Sequence, residues 1–251
     1  MTQPILFIDL HGVLVNTPKI FEEYRNLTIE HLKKDFQLKE KPAAERYDQA
    51  MKNWENKAFE YLRNPGTKKT GNQFLDFLEN CDKLFPKYLY QDLDLSTNHK
   101  KLRTRPFEYS IASKFEALYP ETIDVLEILL QHNYEMYVAS SSHSSHISGV
   151  IEGNHLNKYL KGYFGFDTVA ATKHTVKYYR EMVARVNASP QSCIMIGNSM
   201  HEILKPRKLG MKTIHINRER KVPADVRRMA DLSLDDLSSL PIYLDSLILA
   251  G

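Results

Sequence analysis

Asp9, Ser140, Lys173 and Asn198 are the residues of this chain whose types and settings could do chemistry. Ile5-Leu6-Phe7-Ile8 runs into Asp9, Met136-Tyr137-Val138-Ala139 into Ser140, and Ile194-Met195-Ile196-Gly197 into Asn198, while the stretch Phe164 to Ala170 comes shortly before Lys173. Apolar runs of this length, rich in branched and aromatic types, read as buried parallel strands. The carboxyl ends of such strands share one rim, which is where open α/β sheets bind ligands. Asp9 is therefore a candidate nucleophile or metal ligand, with a simple loop cap as the plainer alternative. Taken singly, Ser140 reads as a helix cap and Lys173 as a solvated cation. A carboxylate, a hydroxyl, an ammonium and an amide meeting over one crevice instead suit an anionic substrate.

Two kinds of element must position these groups. After the first strand, Thr17-Pro18 starts a helix in which Ile20, Tyr24, Leu27 and Leu32 recur near helical spacing to about Phe36. Pro42 opens a second helix carrying Tyr47, Met51, Trp54, Phe59 and Leu62, which Asn64-Pro65-Gly66 ends. A third helical pattern covers Phe74 to Leu84. The polar stretch Asp92 to Arg105 then gathers His99, Lys100, Lys101, Arg103 and Arg105, and Pro106 precedes another helix. These residues read as one helical insertion, with Trp54, Tyr61 and Phe74 in its core. Lys68, Lys69 and the His99 to Arg105 cluster form either a solvated face or a surface that steers an anion.

From Tyr119-Pro120 onward short apolar strands alternate with helices, the pattern of a parallel sheet built from crossover units. Glu121 to His132 is amphipathic, Phe164 to Ala170 reads as the third strand, and a helix carrying Tyr178, Met182 and Val186 follows Lys173. Thr213 to Ile216 reads as the fifth strand and Leu232-Ser233-Leu234 as an edge strand. The expected fold is α/β: residues 1–16 and 117–251 form a Rossmann-like parallel sheet flanked by helices, and residues 17–116 form an inserted all-α domain.

Composition narrows the function classes. At 251 residues and 42% hydrophobic content, with no apolar run of the ~18 residues that spanning a bilayer requires, a globular chain without membrane association is expected. Met1-Thr2-Gln3-Pro4 lacks the basic flank and cleavage site of a secretory signal, so the expected location is cytoplasmic. Cys81 and Cys193 make no disulfide framework, and Cys193 sits in an apolar run as a packed thiol. A net charge of +3 favours no nucleic-acid partner. Nothing in the sequence fixes an oligomeric state.

The chain resembles the haloacid dehalogenase superfamily, specifically its phosphatase-like members with a helical cap inserted after the first strand. Asp9-Leu10-His11-Gly12-Val13-Leu14 matches the first family motif, Asp-x-Asp-Gly-x-Leu. Ser140 matches the second, Lys173 the third, and Gly197-Asn198-Ser199 with Glu202 and Leu209-Gly210-Met211 the fourth. The resemblance implies a hydrolase in which Asp9 attacks phosphorus to give an aspartyl-phosphate. Ser140 and Ser141 contact the phosphoryl group, and Lys173 holds nucleophile and phosphate by charge. It also implies Mg²⁺ bound by Asp9, the carbonyl of His11, Asn198 and Glu202, and a small phosphorylated metabolite as substrate.

Two positions depart from the family pattern. His11 stands where the phosphatases carry the Asp that protonates the leaving group and activates water; an imidazole is able to do both. Asn198 replaces a metal-binding Asp and removes one negative charge from the cation site. Glu202 reaches either the metal or the start of its own helix, where the dipole favours an acid. His11, His143, His174 and His201 each lie in or beside a motif, which raises Mn²⁺ or another divalent ion as an alternative to Mg²⁺. Two other readings stand beside the phosphatase: a catalytically impaired binding or regulatory protein that keeps the fold, and a metal-independent hydrolase of the dehalogenase type.

Overall fold

The computed structural model describes residues 3–63, 84–93, 105–218, 220 and 222–249. Six strands, β1 (Ile5–Asp9), β2 (Met136–Ala139), β3 (Gly162–Phe164), β4 (Cys193–Gly197), β5 (Lys212–Ile216) and β6 (Leu232–Leu234), form one sheet. Their order is β3-β2-β1-β4-β5-β6 and every pairing is parallel. β1 and β4 lie at the centre, so Asp9 and Asn198 emerge from adjacent strands.

Alternation along the strands buries both faces. Leu6 and Ile8 of β1 and Ile194 and Ile196 of β4 enter one apolar cluster, while Phe7, Cys193 and Met195 enter another on the opposite side. That arrangement explains why the strands read as continuous apolar runs rather than as alternating ones. Helices Thr122–Gln131, Ser144–Gly153, Val176–Arg185 and Met200–Arg207 are among those that flank the sheet.

The third strand differs from expectation. β3 covers only Gly162–Phe164, and Phe166–Val169 is a helical turn. Gly165 ends the extended run because the Thr168 hydroxyl accepts its N–H and donates to its carbonyl, both at 3.0 Å. Such local bonds compete with a sheet ladder. Lys173 is consequently presented by the loop after this turn, not by the end of a strand.

Between β1 and β2 the chain makes helices Thr17–Phe36 and Glu40–Arg63, a helical segment at 84–89, and Arg105–Ala112. Asn16 caps the first through its Oδ1, 3.2 Å from the Lys19 N–H, and Pro18 occupies the first turn, where a missing N–H costs nothing. Ile29, Leu32, Tyr47, Phe85, Leu89 and Tyr90 form a separate core for this insertion. Helix Arg105–Ala112 packs differently: Ile111 and Ala112, with Phe115, join the sheet-side cluster. The predicted helix at Phe74 to Leu84 and the polar cluster near His99 lie almost wholly outside the described residues, as do Lys68 and Lys69.

Two crossings connect insertion and sheet, and they are tied together. Val15 bridges Leu118, the Asn16 N–H donates to Ala117 at 2.7 Å, and the Thr122 hydroxyl donates to the Leu14 carbonyl at 2.9 Å. Arg218, beyond β5, adds a third fastening. Its guanidinium lies 3.8 Å from the Tyr119 ring centroid, donates to the Val13 carbonyl at 3.3 Å and pairs with Glu121.

Candidate active site

β1 delivers Asp9 to the rim almost wholly buried, at 4% exposure. Its Oδ1 accepts the Leu10 N–H at 2.8 Å and the Lys173 ammonium at 2.5 Å, which fixes the carboxylate's orientation. The loop then turns through Gly12 at φ +80°, and a Cβ there would sit 1.9 Å from Asn198 Nδ2. Only glycine meets both requirements. The β1 loop and the β4 loop therefore touch at this point, where the Asn198 side chain lies against Gly12.

Lys173 joins the pieces. Besides Asp9 its ammonium contacts Glu202 and lies 3.5 Å from the Ala139 carbonyl at the end of β2. Glu202 is 1% exposed and is engaged at both oxygens: Oε1 by Lys173, Oε2 by the N–H groups of Asn198 (3.0 Å) and Ser199 (2.8 Å). The Ser199 bond is one half of the capping box of helix Met200–Arg207 and the Asn198 bond adds to it, so Glu202 starts its helix and faces the site at once.

These charges shift one another. Burial alone would lower Lys173, yet Asp9 and Glu202 outweigh it and hold the ammonium above its ordinary range. Burial also opposes the ionised form of Glu202, but the Lys173 charge and hydrogen bonds bring that carboxyl down. Asp9 moves up, through burial first and the Glu202 charge second, against the pull of Lys173. Two carboxylates around one ammonium do not both ionise readily without a further positive charge nearby, and it is Asp9 that is pushed up, to about 8. A divalent cation with oxygen donors suits that imbalance, and Asp9 and Asn198 supply such donors. Among the described residues no three His, Cys, Asp or Glu side chains cluster as a metal site.

Ser140, 1% exposed, sits one residue beyond β2; its Oγ accepts the Ser142 N–H at 3.2 Å. Ser141 is half-buried beside it. Tyr178 holds this loop in place, its hydroxyl donating to the carbonyls of Ser140 (2.9 Å) and Phe164 (2.7 Å). Sequence reading placed Tyr178 in a helix core and gave no sign of that bond.

The four histidines do not converge. His11 pairs with His146, their Nε2 atoms 3.0 Å apart and their rings stacked at 5.1 Å. His143 caps helix Ser144–Gly153 through Nδ1 and lies 3.3 Å from Asp167. His174 packs on His201 with ring centroids 4.1 Å apart. Burial drives His146 down to about 4. It also drives His11 well below its ordinary value, with help from His146 and Lys173. His146 was not among the residues singled out from sequence; it lies 135 positions from His11 and only the folded chain brings them together.

The parallel sheet, its order and a buried carboxylate–lysine group at its rim define a Rossmann-like α/β protein with a polar site. The chain belongs to the haloacid dehalogenase-like hydrolase family, whose sequence model matches residues 5–216. No curated protein matches it. Among solved structures it is similar to a HAD phosphatase from Thermococcus onnurineus, at 19% identity and a TM-score of 0.64, covering 96% of this chain and 98% of that one. It is also similar to the putative HAD-hydrolase YfnB from Bacillus subtilis bound to magnesium, at 16% identity and a TM-score of 0.63, covering 98% and 100%. A 2-haloacid dehalogenase from Pseudomonas syringae pv. Tomato DC3000 aligns at 16% identity and a TM-score of 0.65, covering 98% and 99%. At these identities the likeness is one of fold.

Proposed function

We propose that the chain is a Mg²⁺-dependent phosphomonoesterase for a small phosphorylated metabolite, with Asp9 as its nucleophile. The observation that carries this reading is the buried Asp9–Lys173–Glu202 group, in which one ammonium fixes the carboxylate that attacks. Asp9 forms a bond to phosphorus as the leaving alkoxide departs, and water then displaces the phosphoryl group from Asp9. Lys173 steadies charge on the transferring group, and the Ser140 hydroxyl donates to its oxygens. His11 gives a proton to the leaving group and takes one from the attacking water. Asp9, the His11 carbonyl and Asn198 would hold Mg²⁺, which when bound offsets the negative charge of substrate and site. Glu202 acts through Lys173 and the amides it caps. The helical insertion, residues 17–116, selects the substrate as a cap over the sheet domain formed by 1–16 and 117–251.

The test is phosphate release from a broad panel of phosphate esters with Mg²⁺, at neutral pH and below. Wild type should turn over at least one ester, Asp9→Asn none, and His11→Asp should be faster or shift its pH optimum. Phosphate binding without release from any ester would instead identify a binding protein that keeps the fold. A second reading, hydrolysis at carbon, is favoured by Asn198 standing where a metal-binding acid is usual and by the haloacid dehalogenases among the similar structures. Halide release from a 2-haloacid that persists in chelator would establish it.

A further inference from the structure

We propose that Asp167 is a positioning residue, which acts through the loop Ser142–Ser144 to set the Ser140 hydroxyl for a phosphoryl group, a role that rests on the phosphatase reading above. Strand register puts Ser140 beside the nucleophile. Ala139, one residue earlier, pairs with Asp9 across β1 and β2, and the Lys173 ammonium that grips Asp9 lies 3.5 Å from the Ala139 carbonyl. Among the described contacts the Ser140 oxygen accepts the Ser142 N–H at 3.2 Å, and its own hydrogen has no acceptor. That hydrogen is free to donate to a bound anion, and its place is set by where Ser142 stands.

Ser142 and the residues after it are held by the turn that follows β3. The Ser142 carbonyl accepts the Phe166 N–H at 3.2 Å. Asp167 Oδ1 accepts the Ser144 N–H at 2.9 Å and Oδ2 the Ser144 hydroxyl at 2.6 Å, so one carboxylate takes both donors of one residue. Bonds to an ionised acceptor are stronger than neutral ones and hold a loop more firmly. His143 adds a third group. Its Nδ1 accepts the Ser145 N–H at 3.0 Å, which puts the neutral ring's proton on Nε2, the nitrogen 3.3 Å from Asp167 Oδ2. Gly165 lets turn and loop meet this closely, since a Cβ there would fall 2.7 Å from the Ser142 carbonyl oxygen and 2.8 Å from Asp167 Oδ1.

The same contacts decide where an anion can bind. At the start of helix Ser144–Gly153 the amides of Ser144, Ser145 and His146 are all taken, by Asp167, the His143 ring and the His143 carbonyl. Asp167 thus stands where an anion would otherwise meet the helix start, and the donor left on this loop is the Ser140 hydroxyl.

Binding of inorganic phosphate to the full chain with Mg²⁺, measured by calorimetry, tests this. Asp167→Ala should weaken phosphate about tenfold, the worth of one well-placed hydrogen bond, and Ser140→Ala should do the same. The double variant should bind no more weakly than Ser140→Ala, because both changes act through one hydroxyl. Asp167→Asn, which keeps an acceptor for the Ser144 N–H, should recover most of the affinity. Gly165→Ala, which leaves the bonded side chains in place but wedges turn from loop, should also weaken phosphate, and it carries the comparison if Asp167→Ala does not fold. Asp231→Ala controls for lost stability: Asp231 accepts the Thr213 N–H at 2.8 Å and hydroxyl at 3.1 Å near the start of β5, at the opposite edge of the sheet, and its loss should leave phosphate affinity unchanged. Wild-type affinity in Asp167→Ala or Gly165→Ala, or a further loss when Asp167→Ala is added to Ser140→Ala, would overturn the proposal. If wild type binds phosphate yet releases none from any ester, the phosphatase reading fails while the same comparison still decides the role of Asp167. No phosphate binding by wild type would remove both.

Discussion

Lys173 shows how much one residue can carry. Its ammonium is the sole cation bonded to both Asp9 and Glu202 among the described contacts, and all three are buried. Removing one partner of such a group strands the others, at a cost of about 3–5 kcal/mol. Lys173→Met should therefore lower the unfolding free energy in urea by that amount, shift the midpoint down and abolish turnover, while Lys177→Met, at an exposed position of the same segment, should change neither. A midpoint equal to wild type would show that the ion group contributes nothing to the fold. Asp9 and Lys173 were legible because each sits at a fixed place in a motif. The His11–His146 pair was not, since His146 lies within an ordinary helix pattern and carries no spacing signal.

At the scale of elements, the helix Val176–Arg185 does more than cover the sheet. Tyr178 reaches two loop carbonyls and so fixes the end of β2, where Ser140 stands, against the end of β3. Tyr178→Phe should cost about 1–3 kcal/mol in urea unfolding, because the Ser140 carbonyl loses a buried donor. It should also reduce kcat through displacement of Ser140. Unchanged stability and activity would mean the loop needs no such support. Strand and helix positions were readable from apolar periodicity, and β1, β2, β4, β5, β6 and the first two helices fall where expected. The stretch from Phe164 to Ala170 misled because its aromatic and branched residues suit a strand, whereas Gly165 and Thr168 bond locally and curl the chain. Hydrophobicity reports burial, and here the burial belonged to a helical turn.

For the whole molecule, the buried histidine makes folding depend on acidity. His146 has a folded value of about 4 against 6.5 for the exposed group, so between these limits the unfolded chain binds the proton more readily. Stability from this residue is complete above pH 6.5, falls as pH drops toward 4, and changes no further below that. The full loss is about 3 kcal/mol by the cost per pH unit. Urea unfolding at pH 7 and pH 4.5 should show a smaller decline for His146→Phe than for wild type; parallel declines would mean that this ring is not held neutral. Charge linkage of this sort depends on assembled contacts, and so do the fastenings at the two crossings, where Arg218 meets Val13, Tyr119 and Glu121. Sequence order alone joined none of these. The central claim is that an Asp9 oxygen bonds to phosphorus, and the stereochemical course at phosphorus tests it, read from hydrolysis of an ester whose phosphorus is made chiral with sulfur and oxygen isotopes. Two successive in-line displacements, the first by Asp9 and the second by water, should retain configuration. Inversion would show water attacking the ester directly and contradict the account.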